Sequence, residues 1–166
     1  MKSLPDRTGL FRVAMALGSI WLVAACGSTA ASSVGTASTP TASAASGVDL
    51  EQGTATVMNA QETVLTSPDG FTLYYLTVDS AAAPKCTGAC LTNWPALLTS
   101  GTPGTMVPLS GTLAVAMNAN GDQVVYNGHL LYRYAGDTAK GDAKGEGQQA
   151  FGGEWKVATP SLTVAG

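Results

Sequence analysis

The decapeptide GFTLYYLTVD, Gly70–Asp79, returns fifty-eight residues later as GHLLYRYAGD, Gly128–Asp137, with glycine, leucine, tyrosine and aspartate in register. Side chains of a strand point to opposite faces in turn, so alternate positions can be compared between the copies. Thr72, Tyr74 and Leu76 match Leu130, Tyr132 and Tyr134, which are large or apolar in five of six cases and are assigned to the core. On the other face Phe71, Leu73 and Tyr75 match His129, Leu131 and Arg133. There the chemistry changes from copy to copy, which makes Phe71, Tyr75, His129 and Arg133 a candidate ligand face on a rim or second interface.

The echo extends upstream, where Val57-Met58-Asn59-Ala60 is answered by Ala116-Met117-Asn118-Ala119. Met58 precedes Gly70 by twelve residues and Met117 precedes Gly128 by eleven. The extra residue falls in the turn, SPDG in the first copy and Asn127-Gly128 in the second, where a repeat can absorb it without changing its strands. Asn-Gly also fits the positive φ of a type I′ hairpin. The pattern predicts strands over Thr54–Met58, Thr63–Thr66 and Phe71–Thr77, then Leu113–Met117, Gln123–Tyr126 and Leu130–Ala135, with a fourth strand per copy carrying Trp94 or Trp155. Helical periods of useful length are absent after the N-terminal segment. The expected fold is all-β and antiparallel. Two four-stranded meander repeats, about 54–110 and 111–166, pack their apolar faces around a pseudo-twofold axis, because neither would stay soluble alone.

The N-terminus reads as targeting, not fold. Lys2, Arg7 and Arg12 precede an uncharged run of thirteen residues, Val13–Ala25. That is shorter than the roughly 20 residues a helix needs to span a bilayer. The run ends in Val23-Ala24-Ala25-Cys26, which looks like the lipobox of bacterial lipoproteins: an aliphatic residue, two small ones and the cysteine that receives the lipid. Residues 1–25 are therefore expected to be a lipoprotein signal peptide with lipidation at Cys26; the alternative is an ordinary secretory signal cut near Ala24, Ala25 or Ala30. Residues 26–53 continue as a tether dominated by Ala, Ser, Thr and Gly over Gly27–Gly47, which lacks the apolar surface to offset ordering costs of about 1 to 2 kcal/mol per residue. The folded domain is expected over 54–166.

The full chain carries eight Lys or Arg against eleven Asp or Glu. After Cys26 five basic residues face ten acidic ones, leaving a formal charge of −5. An acidic domain without a basic patch argues against nucleic acid as a partner.

With these residues in place, the chain resembles a bacterial family of secreted repeats of unknown function, found in predicted lipoproteins and marked by Tyr-x4-Asp. The motif stands here as Tyr74 to Asp79 and Tyr132 to Asp137. The first copy also resembles that family in CTGACLTNWP, Cys86–Pro95, and the likeness runs over roughly Thr54–Pro160. It implies a location and an architecture, and no catalytic residues.

Cys86 and Cys90 are the cysteines left after Cys26, in an oxidising compartment. A structural disulfide is expected, contributing about 2 kcal/mol; redox exchange and metal binding are the alternatives. Three intervening residues match neither the redox Cys-x-x-Cys nor the haem-attachment pattern. His129 is the single histidine and cannot supply a histidine-based metal cluster, so it is expected at a surface or edge. Asp137, Asp142, Glu146 and Glu154 lie in or beside the glycine-rich stretch 136–153. Asp137, Asp142 and Glu146 are weak metal candidates, because Lys140 and Lys144 lie among them and the spacing is not that of a calcium loop; a solvated mobile loop is expected. Five residues of extended strand would put each motif tyrosine and aspartate about 16 Å apart on opposite faces. The aspartates are therefore expected to end their strands as Asx turns, and Trp94, Trp155, Tyr74, Tyr132 and Tyr134 to fill the core.

These readings converge on a lipid-anchored protein outside the bacterial cytoplasm, a non-catalytic binding or scaffolding module without a cofactor. Its expected partners are the membrane, through the anchor, and an envelope protein. The alternative is a redox or metal-handling accessory.

Overall fold

The computed structural model describes residues 47–166. The expected signal peptide, the expected lipidation site Cys26 and most of the expected tether lie outside the described residues. Nine strands and one short helix follow in order: β1 Asp49–Val57, β2 Ala60–Thr66, β3 Tyr74–Leu76, α1 Cys90–Asn93, β4 Gly104–Thr105, β5 Leu113–Asn118, β6 Gly121–Tyr126, β7 His129–Leu130, β8 Gln149–Ala150 and β9 Gly153–Val157. Three three-stranded sheets result, ordered β2-β1-β4, β3-β9-β8 and β5-β6-β7, and every strand pair is antiparallel except β1 with β4. The domain starts earlier than position 54, because Leu50 on β1 is fully buried and ties the strand into the core.

Tyr74 and Tyr132 form the hub. Each donates its backbone N–H to the other's carbonyl at 2.9 Å, so equivalent residues of the two repeats face one another across an approximate twofold axis. On either side of that pair three chains meet in a ring of backbone bonds. In one, Leu65 donates to Ala158, Ala158 to Leu73 and Leu73 to Leu65, at 2.8, 2.8 and 2.9 Å. In the other, Val124 donates to Leu97, Leu97 to Leu131 and Leu131 to Val124, at 2.8, 2.9 and 3.0 Å.

These rings show where the fourth strands go. β9, which carries Trp155, pairs with β3 of the first repeat, Leu76 opposite Trp155. The segment after Trp94 bonds to the second repeat, with Arg133 N–H on the Pro95 carbonyl at 2.8 Å and Ala96 bridged to Tyr132. Each repeat thus contributes its last strand to the other instead of completing its own meander. Trp94 itself sits at the C-cap of α1, just ahead of the exchanged segment. Alternation fixes that a segment is extended and which face it buries, but not which strand it lies beside.

Both faces of the echoed segment are packed. Tyr74, Leu76, Leu130 and Tyr132 join one core with Trp94 and Trp155; Leu73 and Leu131 join a second with Leu50, Leu65, Leu97 and Val124, the ring residues among them. Trp94 and Trp155 stack with ring centroids 3.7 Å apart and planes within 2°, while Tyr74 meets Trp94 and Tyr132 meets Trp155 edge-on at 5.5 and 5.2 Å. Equivalent rings therefore build one block across the axis.

The upstream echo does not superpose. Met58 occupies the β1–β2 turn at φ 45°, followed by Asn59 at φ 73°, whereas Met117 lies inside β5 opposite Asp122. Relative to the equivalent ring residues Leu65 and Val124, which face Gln52 and Val115, the first hairpin is longer by two residues on each strand. The downstream turn behaves as the counting predicts: Ser67–Phe71 and Tyr126–His129 close equivalent hairpins with one residue of difference.

Candidate functional site

The chain reverses just after each motif tyrosine's strand. Asp79 N–H returns to the Leu76 carbonyl at 3.0 Å and Asp137 N–H to the Tyr134 carbonyl at 3.1 Å. This turn brings each aspartate back toward the axis, where it meets the tyrosine of the other repeat. Tyr74 Oη donates to Asp137 Oδ2 at 2.6 Å, and Tyr132 Oη donates to Asp79 Oδ2 at 2.7 Å. The remaining carboxylate oxygens accept backbone N–H groups, Asp137 Oδ1 from Lys144 at 3.0 Å and Asp79 Oδ1 from Lys85. The aspartates do accept backbone donors, but from six and seven residues downstream, so each closes a long loop instead of a local Asx turn.

Burial, then the bond to the neighbouring carboxylate, pushes both phenols well above the ordinary tyrosine value, which keeps them protonated as donors. Asp137 is 7% exposed, and burial raises its carboxyl above the ordinary value against the Tyr74 hydroxyl and the Lys144 N–H, which pull it down. Gly145 follows Lys144 over the same tyrosine; a Cβ there would come within 2.7 Å of the Trp94 ring and 2.8 Å of the Tyr74 ring.

The four residues of the candidate ligand face separate into two equivalent pairs. Arg133 places its guanidinium 4.5 Å from the Phe71 ring centroid and pairs with Asp69 at 2.9 Å. Tyr75 and His129 have centroids 4.5 Å apart, and His129 Nε2 lies 3.1 Å from the Thr163 carbonyl. Burial lowers the histidine's pKa, the Thr163 contact opposing it. A cleft of about 310 Å³ runs from Phe71 and Arg133 to Asp137.

The acidic stretch packs against the domain. Thr72 Oγ1 donates to the Asp142 carbonyl at 2.6 Å, and Gly147 N–H to the Trp155 carbonyl at 2.8 Å. Its carboxylates are engaged separately. Asp142 Oδ2 accepts Lys144 Nζ at 2.7 Å and the N–H groups of Thr138 and Ala139 at 2.9 and 3.0 Å; the Lys144 contact first, and those N–H groups, lower its pKa to about 2. Glu146 Oε2 accepts Val157 N–H at 2.6 Å. Among the described residues no three His, Cys, Asp or Glu converge as a metal cluster would.

Cys86 and Cys90 form a disulfide with Cα atoms 5.3 Å apart, and both are buried. Thiol exchange needs an attackable sulfur, which neither presents.

Two features escaped the sequence. Gln123 is fully buried in β6, donating from Nε2 to the Leu131 carbonyl at 2.9 Å and accepting from Asn118 and Asn120 at 3.2 and 3.1 Å. A glutamine heading the apolar run QVVY was the available signal. The second is an open groove of about 550 Å³ between Thr99–Pro103 and β5, lined by Leu113, Val115 and Met117.

Together these contacts define an all-β domain of two interlocked repeats, with its repeated tyrosines and aspartates used to join them. The chain belongs to the family described as secreted repeats of unknown function, whose pattern matches residues 55–98 and 114–159, one stretch in each repeat. That description indicates a place outside the cytoplasm, and no helix among the described residues is long and apolar enough to cross a membrane. No curated protein and no solved structure matches the chain.

Proposed function

We propose that the protein is a lipid-anchored envelope module, attached through Cys26, that acts by binding or scaffolding and not by catalysis. The observation that carries this reading is the commitment of the repeated chemistry to structure: both motif tyrosines donate to aspartates of the other repeat, and both aspartates are completed by backbone N–H groups. Groups locked in this way hold a rigid surface: each phenol's one proton is given to a carboxylate, and each carboxylate is fixed in place by it and by a backbone N–H. The anchor follows from Val23-Ala24-Ala25-Cys26, since a cysteine directly after a small pair has no use in an ordinary secretory signal. Two or more acyl chains would then hold the domain at the membrane, each buried methylene contributing about 0.8 kcal/mol. Its partner is an envelope protein.

Cell fractionation tests the anchor. Cys26→Ala should accumulate as unprocessed precursor and lose acyl-chain labelling; a variant processed normally and still membrane-bound sinks the reading. Pull-down of the anchored form from its own envelope tests the binding role.

A further inference from the structure

β1 and β5 are equivalent strands at the two ends of the bond network, and their turns fix which backbone groups face outward. On β1 Val57 pairs with Ala60 across the turn, so Leu50 and Thr56 are among the residues turned away from β2. This edge is tied down at both ends: Met106 N–H donates to the Leu50 carbonyl, and Thr56 N–H to the Gly141 carbonyl, each at 3.0 Å, with Gln52 and Thr54 between them. On β5 Asn118 pairs with Gly121, so Leu113, Val115 and Met117 turn their N–H and C=O groups outward. Among the described residues no backbone bond from another element reaches any of these three.

Natural sheets blunt such an edge with lysine, proline or a bulge. β5 reads LAVAMN, keeps an unbroken register with β6 and carries no charge. Val115 is 39% exposed and Met117 86%, and both border the 550 Å³ groove.

We propose that this edge is an interface for a second copy of the chain, β5 against β5, antiparallel, with Val115 opposite itself. The pairing is self-complementary. Centring it on Val115 sets Leu113 opposite Met117 of the other copy, so the outward groups of three residues on each strand meet their counterparts in hydrogen-bonded pairs. Directly opposite side chains share a face, so the second copy's Val115 and Met117 cover the groove. The strand itself puts no charge on the axis, and the carboxylate that lines the groove, Asp122, lies on β6 opposite Met117. The chain is acidic, and β1 carries Asp49 and Glu51, whereas the axis here passes through an uncharged strand. The dimer does not depend on the anchor.

Cross-linking of the full chain in its own envelope with a short bismaleimide tests it. Val115→Cys should give a product of twice the chain mass, and Leu113→Cys expressed beside Met117→Cys should cross-link better than Leu113→Cys alone. Gln52→Cys, the equivalent position on β1, where Leu50 and Thr56 on either side are tied to Met106 and Gly141, should not react in this way. Adding Val115→Lys to the Leu113/Met117 pair should cut its yield about tenfold, because like charges then face each other on the axis. The proposal is overturned if Val115→Cys links no better than Gln52→Cys, if Leu113 prefers Leu113, or if the product has another mass, which would mark a different partner. Fractionating the same samples reads the anchor independently.

Discussion

Tyr74 and Asp137, sixty-three residues apart in sequence, are joined by a hydrogen bond of 2.6 Å, and their counterparts Tyr132 and Asp79 are joined by one of 2.7 Å. The aspartate that belongs to each repeated segment serves the tyrosine of the other. Removing one phenol leaves a buried acceptor short of a donor, at a cost of about 1 to 3 kcal/mol. Tyr74→Phe should destabilise more than Tyr132→Phe, because Asp137 is more buried than Asp79. Urea unfolding measures both. In double-mutant cycles Tyr74 should couple to Asp137 and not to Asp79, its neighbour in sequence.

Acid titration should show the raised carboxyl. The folded Asp137 holds its proton to higher pH than the unfolded chain does, so its contribution to stability is full below the ordinary aspartate value and is lost as pH rises through the folded value. Asp142 has the opposite sign: its contribution is present above the ordinary value and is lost as pH falls toward about 2. Asp137→Asn should therefore remove a falling arm of the stability profile just above the ordinary carboxylate pKa. Chemical unfolding in pH steps checks this; an unchanged slope would contradict the buried state of Asp137.

Gly145→Ala should loosen the aromatic block. The added methyl must displace Trp94 or Tyr74, which overpacking puts at about 1 to 3 kcal/mol. Near-UV circular dichroism should report the change, since the stacked indoles lie next to that position.

Replacing Cys86 and Cys90 together by alanine should cost about 2 kcal/mol and leave the fold intact. The native disulfide should resist mild reductant until the domain opens, because both sulfurs are buried. Alkylation with and without denaturant distinguishes this from an exchangeable pair.

Much of the architecture was legible because strand alternation leaves marks in sequence. The period at Phe71–Thr77 and Leu130–Ala135 gave the core face, and Asn127-Gly128 gave its hairpin. The exchange of fourth strands left no such mark, since Trp155 alternates in the same way whether it lies beside its own repeat or the other. The crossed tyrosine–aspartate bonds were hidden for a related reason: an extended strand separates Tyr74 from Asp79, and only the turn at Leu76–Asp79 redirects the carboxylate. Met58 and Met117 misled because identical tripeptides fell on hairpins of different length.

The exchanged last strands also set an order of events for a chain that emerges N-terminus first from its synthesis. The slot between Leu65 and Leu73 stays open until Ala158 arrives, eight residues before the C-terminal glycine. The first half cannot finish folding while the second is still in transit. A fragment stopped before β9 would therefore emerge with that slot unfilled, as an open, adhesive sheet instead of half a domain.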